Sequence, residues 1–455
     1  MSVMGKEFES SKKALSDVAS NPALRRIFYA FGGSLVGDGV FTLSALVYVF
    51  LHGGPTAVGV MAFVRYLAIA IVAPLTSTFA DQFDRRKVMV VSDVTRLVLV
   101  SLAAVLVGVH ASRWPVFAVI VLEGLAGSSF RPAQASILPL LAREPDEIAG
   151  ANVVSSTIES IGFFAGPAIA GFLLAVSNVA VAFCFDAATF VWSAILTAMI
   201  RPPLPEERSP ELVAHDSDTT QAASMSSQSF LVRAEQGFRI IVHDRDVLTM
   251  IVLYILQCVM TGASAVFIVT IALQLLHIGN SGLGLMESML GVGGLVGGFI
   301  ALMLSTRAKM ATDFGLSIMV WAAPLLIIAA LPNLPAALGS MLLIGMANSV
   351  VDVNAVTVLQ HVIPNENLGR VMGVLEAGEV AGMAIGSLAM SIFIHTTGLR
   401  TGLAIIGSAV TLLVLPGLPA LRRIDKNVFA EGVTHPPRSA HSHRHFLNMR
   451  PRMTR

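Results

Sequence analysis

Twelve apolar runs, each long enough to cross a bilayer and each closed by a short break, constrain this chain more than any other feature. A helix that spans the hydrocarbon layer needs about 20 such residues. Its backbone polar groups find no water there and must be satisfied within the helix. The runs lie at approximately 24–51, 58–80, 87–109, 115–138, 148–175, 178–200, 247–275, 282–305, 313–331, 336–360, 368–394 and 399–421. The breaks carry turn residues or charge, as in His52-Gly53-Gly54-Pro55, Ser112-Arg113-Trp114-Pro115 and Pro332-Asn333-Leu334-Pro335. Only 13% of residues are charged, about half the share in a soluble domain. The fold class predicted is an all-α membrane protein with twelve transmembrane helices.

Charge decides orientation. With the N-terminus inside, the cytoplasmic segments hold Arg25 and Arg26, then Arg85, Arg86 and Lys87, Arg143, Arg307 and Lys309, Arg370, and Arg422 and Arg423. The opposite loops hold Arg113 and, near a helix end, Arg400. The positive-inside rule then places both termini in the cytoplasm of a cell (inner) membrane protein. Lys and Arg (30) nearly balance Asp and Glu (29), so net charge points to no nucleic-acid partner. Cys184 and Cys258 both lie in apolar runs, which excludes a disulfide framework. Residues 1–22 are polar and carry Lys6, Lys12 and Lys13, so no removable signal peptide is expected.

The predicted organisation is an N-terminal segment (1–23), a six-helix bundle (24–200), a polar linker (201–246), a second six-helix bundle (247–423) and a tail (424–455). The linker ends in a weakly amphipathic stretch, 230–242, expected to form a surface helix. The tail is basic and carries His441, His443 and His445; it reads either as a metal-binding tail or as a solvated tail attracted to anionic lipid. The two bundles are related. Pro145-Asp146-Glu147-Ile148-Ala149-Gly150 recurs as Pro364-Asn365-Glu366-Asn367-Leu368-Gly369, an offset of 364 − 145 = 219. Asp146 and Asn365 are expected helix N-caps. Residues 52–61 match 277–286, an offset of 277 − 52 = 225. Both matches fall at equivalent topological places, as in a parallel repeat.

The loop after the second run reads Ser77-Thr78-Phe79-Ala80-Asp81-Gln82-Phe83-Asp84-Arg85-Arg86-Lys87. It resembles the signature loop of the major facilitator superfamily, in the form found in the branch of enterobactin, macrolide and multidrug exporters. Ser77 stands where that loop usually opens with Gly, and Asp84 where Gly is usual. The resemblance implies that span two packs beside span eleven, with Asp81 facing the N-terminus of span eleven near Arg370. A carboxylate there is favourable by roughly 0.3–1 kcal/mol and can latch the cytoplasmic side shut. Asp81, Arg85, Arg86, Glu376 and Glu379 are the expected gating residues; a topology anchor alone is the other reading of the loop. Span five contains Gly162-Phe163-Phe164-Ala165-Gly166-Pro167, which resembles the Gly-x-x-x-Gly-Pro motif of antiporters in the superfamily. Gly162, Gly166 and Pro167 are the expected helix-packing seam between the halves. Gly293, Gly294, Gly297 and Gly298 of span eight, and Gly378, Gly382 and Gly386 of span eleven, would complete it.

Ionisable residues inside a membrane are costly and read as functional by default. Here they include Asp38, Arg65, Glu123, Arg131, Glu159, Asp186, Glu287, Asp352, Glu376 and Glu379. In the fold the resemblance implies, spans one, four, seven and ten line a central cavity. That selects Asp38, Glu123 and Arg131, with Gln257, Asn348, Asp352 and Asn354, for substrate binding and proton coupling. Asp38 could instead be a carboxylate neutralised structurally by an arginine such as Arg65. Arg131-Pro132-Ala133-Gln134-Ala135 resembles the Arg-x-x-Gln-Gly element of proton-coupled exporters, with Ala135 in place of Gly; Arg131 could also belong to the gate. No P-loop, metal-ligand spacing or nucleophile elbow occurs within a span, so no enzyme activity, cofactor or metal is expected. The function expected is secondary active efflux of a small amphipathic molecule (a drug, siderophore or metabolite) by alternating access with proton antiport. Nutrient uptake, or a lipid translocase or membrane sensor, are the alternatives. The expected partners are that substrate, protons and membrane lipids, with the chain working as a monomer.

Overall fold

The computed structural model describes residues 18, 20–200, 230–304 and 309–428, with backbone alone for 73–82, 145, 146, 230–234, 365 and 366. The first helix, α1 (Pro22–Gln82), breaks once, at Gly54, where φ is 66°. This left-handed conformation suits glycine. The break divides α1 into two arms, so among the described residues the twelve predicted spans appear as eleven apolar stretches, the first of which crosses twice. Gly279, at the start of the helix Gly279–Leu304, has φ 67°. Its offset from Gly54 is 279 − 54 = 225, that of the sequence match itself. The same backbone turn therefore recurs at equivalent places.

The remaining helices are α2 (Arg85–Gly108), α3 (Arg113–Gly127), α4 (Phe130–Leu141), α5 (Pro145–Val176), α6 (Val179–Ala198), α7 (Phe230–His243), α8 (Arg245–Thr270), α9 (Gly279–Leu304), α10 (Met310–Ala330), α11 (Leu334–Val362), α12 (Asn365–Thr397), α13 (Leu399–Val414) and α14 (Leu418–Val428). Span four is thus two helices, α3 and α4. Short polar side chains start several of them by accepting backbone N–H bonds. Asp84 accepts from Arg86 N at 3.0 Å, Asn178 from Val181 N at 3.1 Å, and Asn333 from Ala336 N at 2.9 Å. Asp84 is therefore the cap of α2. Asp146 and Asn365 do not take the expected cap position: α5 starts at Pro145 after Glu144, and α12 starts at Asn365 after Pro364. Proline at or beside the first helical position sets the start instead. Glu147 bonds backward to Arg143 N (2.8 Å) and to Asn21 Nδ2 (2.9 Å), tying α5 to the start of α1. From α14, Asp425 accepts from Ala311 N (2.8 Å) and Thr312 N (3.0 Å), capping α10 from another helix.

Packing sorts the helices into two sets. α1 lies against α3, α5 and α6, and α2 against α3 and α6; α8 lies against α12, α9 against α11, and α10 against α11 and α13. The sets meet where the second arm of α1 touches α12, where α5 touches α9, and where α1 touches α8. Glycine makes these approaches possible. A Cβ at Gly171 of α5 would lie 2.8 Å from the Gly284 Cα of α9, and one at Gly291 would lie 2.7 Å from the Phe164 Cα. A Cβ at Gly59 would lie 2.7 Å from the Ser387 carbonyl of α12. Gly59, Gly171 and Gly284 all stand toward the end of the bundle away from the Arg85 and Arg143 loops.

The expected seam is corrected here. Gly162 and Gly166 do not face the second set: Gly162 packs on Leu35 and Gly166 on Gly39, both in the first arm of α1. Gly293 and Gly297 pack on Leu342 and Met346 of α11, while Gly378, Gly382 and Gly386 pack on Ile255, Cys258 and Val259 of α8. A stripe of small residues permits close approach to any neighbour; it does not specify which. Residues 201–229 and the His-rich tail lie outside the described residues. The helix at the end of the linker is α7, whose Gly237 sits against the Arg370 carbonyl of α12.

Gly166→Val should destabilise the protein by about 1–3 kcal/mol through overpacking against α1. Gly298→Ala, with nothing within 4 Å of its Cβ, should leave stability unchanged. Thermal unfolding in detergent distinguishes the two.

Candidate functional site

The first arm of α1 is pinched around Asp38. Gly37 leaves room for Asp186 and Thr189 of α6, because a Cβ there would collide with Thr189 Oγ1 and Asp186 Oδ1. Gly39 leaves room for α5, since a Cβ there would lie 2.8 Å from Gly166 Cα and 3.3 Å from Pro167 Cδ. The Gly-Asp-Gly sequence thus holds Asp38 between two helices at mid-span.

Arg96 of α2 answers it. Its Nη2 donates to Asp38 Oδ1 and, at 2.9 Å, to Glu123 Oε1, while its Nε donates to the same oxygen at 3.1 Å. The guanidinium lies over the Phe190 ring of α6, 4.2 Å from the centroid, a cation–π contact. The other oxygen of Glu123 accepts from Arg65 Nη2 at 3.3 Å. Glu123 and Arg96 are almost fully buried. Each charge loses its hydration there, so the pairing offsets a large penalty, and removal of one partner strands the others.

Asp38, Arg65, Arg96, Glu123 and Arg131 line one cavity of about 230 Å³, with Phe31 and Phe130 among its apolar walls. That is slightly below the usual range for small-molecule sites, about 300–1,000 Å³. Arg131 pairs with Glu159 of α5 at 3.1 Å, and the two side chains are 64% and 44% exposed. Charges so exposed at membrane depth require water, and α4 runs from Arg131 toward the basic loop at Arg143. The pair marks a wet mouth on the side of the basic loops.

The structure brings together Asp38, Glu123 and Arg131, and adds Arg65 and Arg96. Arg65 neutralises Glu123, not Asp38; the arginine on Asp38 is Arg96. Both Arg96 and Asp93 lie in span three, outside the spans that the resemblance places around a cavity. The available signal was a pair of charges three residues apart within the run 87–109.

A second polar chain lies in the other set. Gln257 Nε2 donates to Asn348 Oδ1 at 3.1 Å, Asn348 Nδ2 to Asp352 Oδ2 at 3.0 Å, and Tyr254 reaches Asp352 Oδ1 at 3.5 Å. Asn354 is corrected: it is fully buried on another face of α11, with both amide atoms unpartnered among the described residues. Glu379 is half-buried on α12. Glu376 is exposed. Arg86 donates to the Ile200 carbonyl at 2.8 Å, and Arg26 to the Met199 carbonyl at 2.9 Å. Arg86 therefore binds within its own set, at the carbonyl end of α6 where positive charge is favoured. Arg85 is half-buried at the start of α2. Asp81 lies outside the residues whose side chains are described.

The sequence profile of the Major Facilitator Superfamily matches residues 27–312 and 314–446. The chain belongs to this superfamily. It is a multi-pass membrane transporter, of a family that binds small-molecule substrates. It is 28% identical over 165 residues to an uncharacterized MFS-type transporter, YfiS, of Bacillus subtilis, covering 36% of this chain and 38% of that one. It is 25% identical over 175 residues to macrolide efflux protein A of Streptococcus pyogenes, covering 37% and 42%. These two matches span well under half of either relative. The match to the multidrug efflux pump Tap of Mycolicibacterium fortuitum, at 24% identity over 427 residues, covers 90% of this chain and 98% of the pump. Among solved structures, a POT family transporter in complex with 5-aminolevulinic acid has a TM-score of 0.69 at 13% identity, covering 88% of this chain and 96% of that one. The nucleoside transporter NupG has a TM-score of 0.66 at 14% identity, covering 88% and 99%. These likenesses show the shared fold.

Arg96→Met should lower stability by about 3–5 kcal/mol, since it leaves Asp38 without its ion-pair partner and Glu123 with Arg65 alone. Adding Asp38→Asn and Glu123→Gln to it should recover most of that loss in thermal unfolding.

Proposed function

We propose that this transporter is a proton-coupled exporter of small amphipathic molecules. Its termini and basic loops would lie in the cytoplasm, and the mouth at Arg131 and Glu159 would open there. The observation that carries the reading is the Asp38–Arg96–Glu123 network on the wall of a cavity inside the first six spans. A proton that reaches Asp38 cancels its charge and releases Arg96. The cavity then changes both its charge and its donor positions. A cationic or hydrogen-bonding cargo that competes for Asp38 is displaced by the same event, which is the linkage antiport needs. Relatives named as efflux proteins for macrolides and for multiple drugs support the outward direction.

Alternating access supplies the other half. The glycine contacts at Gly59, Gly171 and Gly284 would hold the far end closed while the mouth is open. Rocking the two sets about α1–α12 and α5–α9 would exchange those states. The Gln257–Asn348–Asp352–Tyr254 chain would form the facing wall of the substrate path. The division into two six-helix units joined by the 201–246 linker, with a chain active as a monomer in contact with lipid, belongs to the same proposal.

Everted membrane vesicles energised by respiration test it, with a labelled macrolide and ethidium as cargo. The wild-type protein should accumulate at least one of them, and a protonophore should abolish the uptake. Asp38→Asn should remove the gradient-driven component with expression intact. Unchanged accumulation in that variant would take Asp38 out of the mechanism, and accumulation only by intact, right-side-out cells would reverse the direction.

A further inference from the structure

One face of α6 lies behind Arg96, on the side away from the cavity. It presents Asp186, Thr189, Phe190 and Ser193, spaced i, i+3, i+4 and i+7 and therefore on one stripe. Phe190 carries the guanidinium. Ser193 Oγ donates to Asp93 Oδ2 at 2.7 Å, and the Thr189 hydroxyl is shared between the Asp186 carbonyl at 2.8 Å and Asp186 Oδ1 at 3.2 Å. Asp93 and Asp186 are both fully buried, and neither lines the cavity. Each keeps one oxygen, Asp93 Oδ1 and Asp186 Oδ2, without a hydrogen-bond partner among the described residues. Neither forms an ion pair among those residues. Gly37 fixes how near Asp186 comes to Asp38, since a side chain there would push Asp186 and Thr189 away.

The charged groups facing this pocket come from four helices. Asp38 and Arg65 are on the two arms of α1, Asp93 and Arg96 on α2, Glu123 on α3 and Asp186 on α6. Two cations face four acids, and both cations are engaged on the cavity side. A buried carboxylate with neither a cation nor a full set of donors costs several kcal/mol. A bound proton removes that cost.

We propose that Asp186 is an inner proton-binding site that exchanges one proton with Asp38 under the control of Arg96. While Arg96 is bound to Asp38, as it is here, the proton sits on Asp186 Oδ2. When that proton passes to the Asp38 carboxylate, Arg96 leaves Asp38. Still bonded to Glu123 and stacked on Phe190, it turns its charge toward the Asp186 carboxylate. One O–H bond breaks as another forms, the guanidinium stays protonated, and the net charge of the pocket is unchanged. The transporter thereby keeps a proton aboard while Asp38 is deprotonated and held by Arg96.

This inference rests on the proton-coupled reading, and infrared spectroscopy of the purified full-length protein in lipid nanodiscs separates the two. The probe is the proton itself, read as the protonated-carboxyl stretch between pH 5 and pH 9 with no cargo present. The wild-type protein should show a band at neutral pH that Asp186→Asn diminishes by at least half, and a component titrating from the cavity that Asp38→Asn removes. Thr189→Ala, which deletes only the hydroxyl donor, should shift the frequency of the neutral-pH band. A merely structural Asp186 would not produce that shift. A band unchanged in both Asp186→Asn and Thr189→Ala overturns the inner site. Should Asp186→Asn not fold, an unchanged frequency in Thr189→Ala overturns it alone. Loss of the inner band with no effect of Asp38→Asn would leave the inner site standing and overturn the role of Asp38.

Discussion

A guanidinium held in an apolar layer must be surrounded by acids, and the first six spans are built around that demand. Arg96 cannot shed its charge, so Asp38 and Glu123 have to come to it. Glycines on both sides of Asp38 let α1 sink against α5 and α6 far enough to reach it. Phe190 supplies the face beneath, and Arg65 takes the oxygen of Glu123 that Arg96 leaves free. Each of these features looks independent along the chain. Together they form one arrangement, in which a change at any member leaves an unpaired charge.

The contact between the two helix sets is of another kind. It is made mostly of backbone against backbone, at Gly171–Gly284, Phe164–Gly291 and Gly59–Ser387, with little polar bonding among the described residues beyond that of Ser391 Oγ to the Thr56 carbonyl at 3.5 Å. Van der Waals surfaces without directional bonds can slide or tilt at low cost, whereas the ion network cannot. The molecule therefore joins a rigid, charged interior in one set to a smooth, small-residue boundary with the other. Such a partition suits a machine whose chemistry stays in place while its halves move.

The fold was largely legible in the chain because its determinants are local. Run length and turn chemistry decide how many times a chain crosses, and Gly54 and Gly279 sit in the breaks where the repeat predicts equivalent turns. Asp38, Glu123 and Arg131 were legible as charges that an apolar run must justify. Arg96 and Asp93 carried the same signal but lay in a span not expected at a cavity. The seam glycines misled for a related reason: Gly162 and Gly166 announce that something approaches closely, and α1 of the same set is what arrives.

The sequence by itself determined the twelve crossings, the turns that part them, and which charges lie at membrane depth. Each follows from a few neighbouring residues and the energy of placing them in hydrocarbon. Only the tertiary structure decided that Arg96 belongs to Asp38, that Arg65 belongs to Glu123, and that Asp186 and Asp93 stand behind them. Those pairings join residues 27 to 148 positions apart, as in Arg96–Glu123 (123 − 96 = 27) and Asp38–Asp186 (186 − 38 = 148). A charge in an apolar run demands a partner, but which partner depends on how closely the helices can approach, and that is settled by packing.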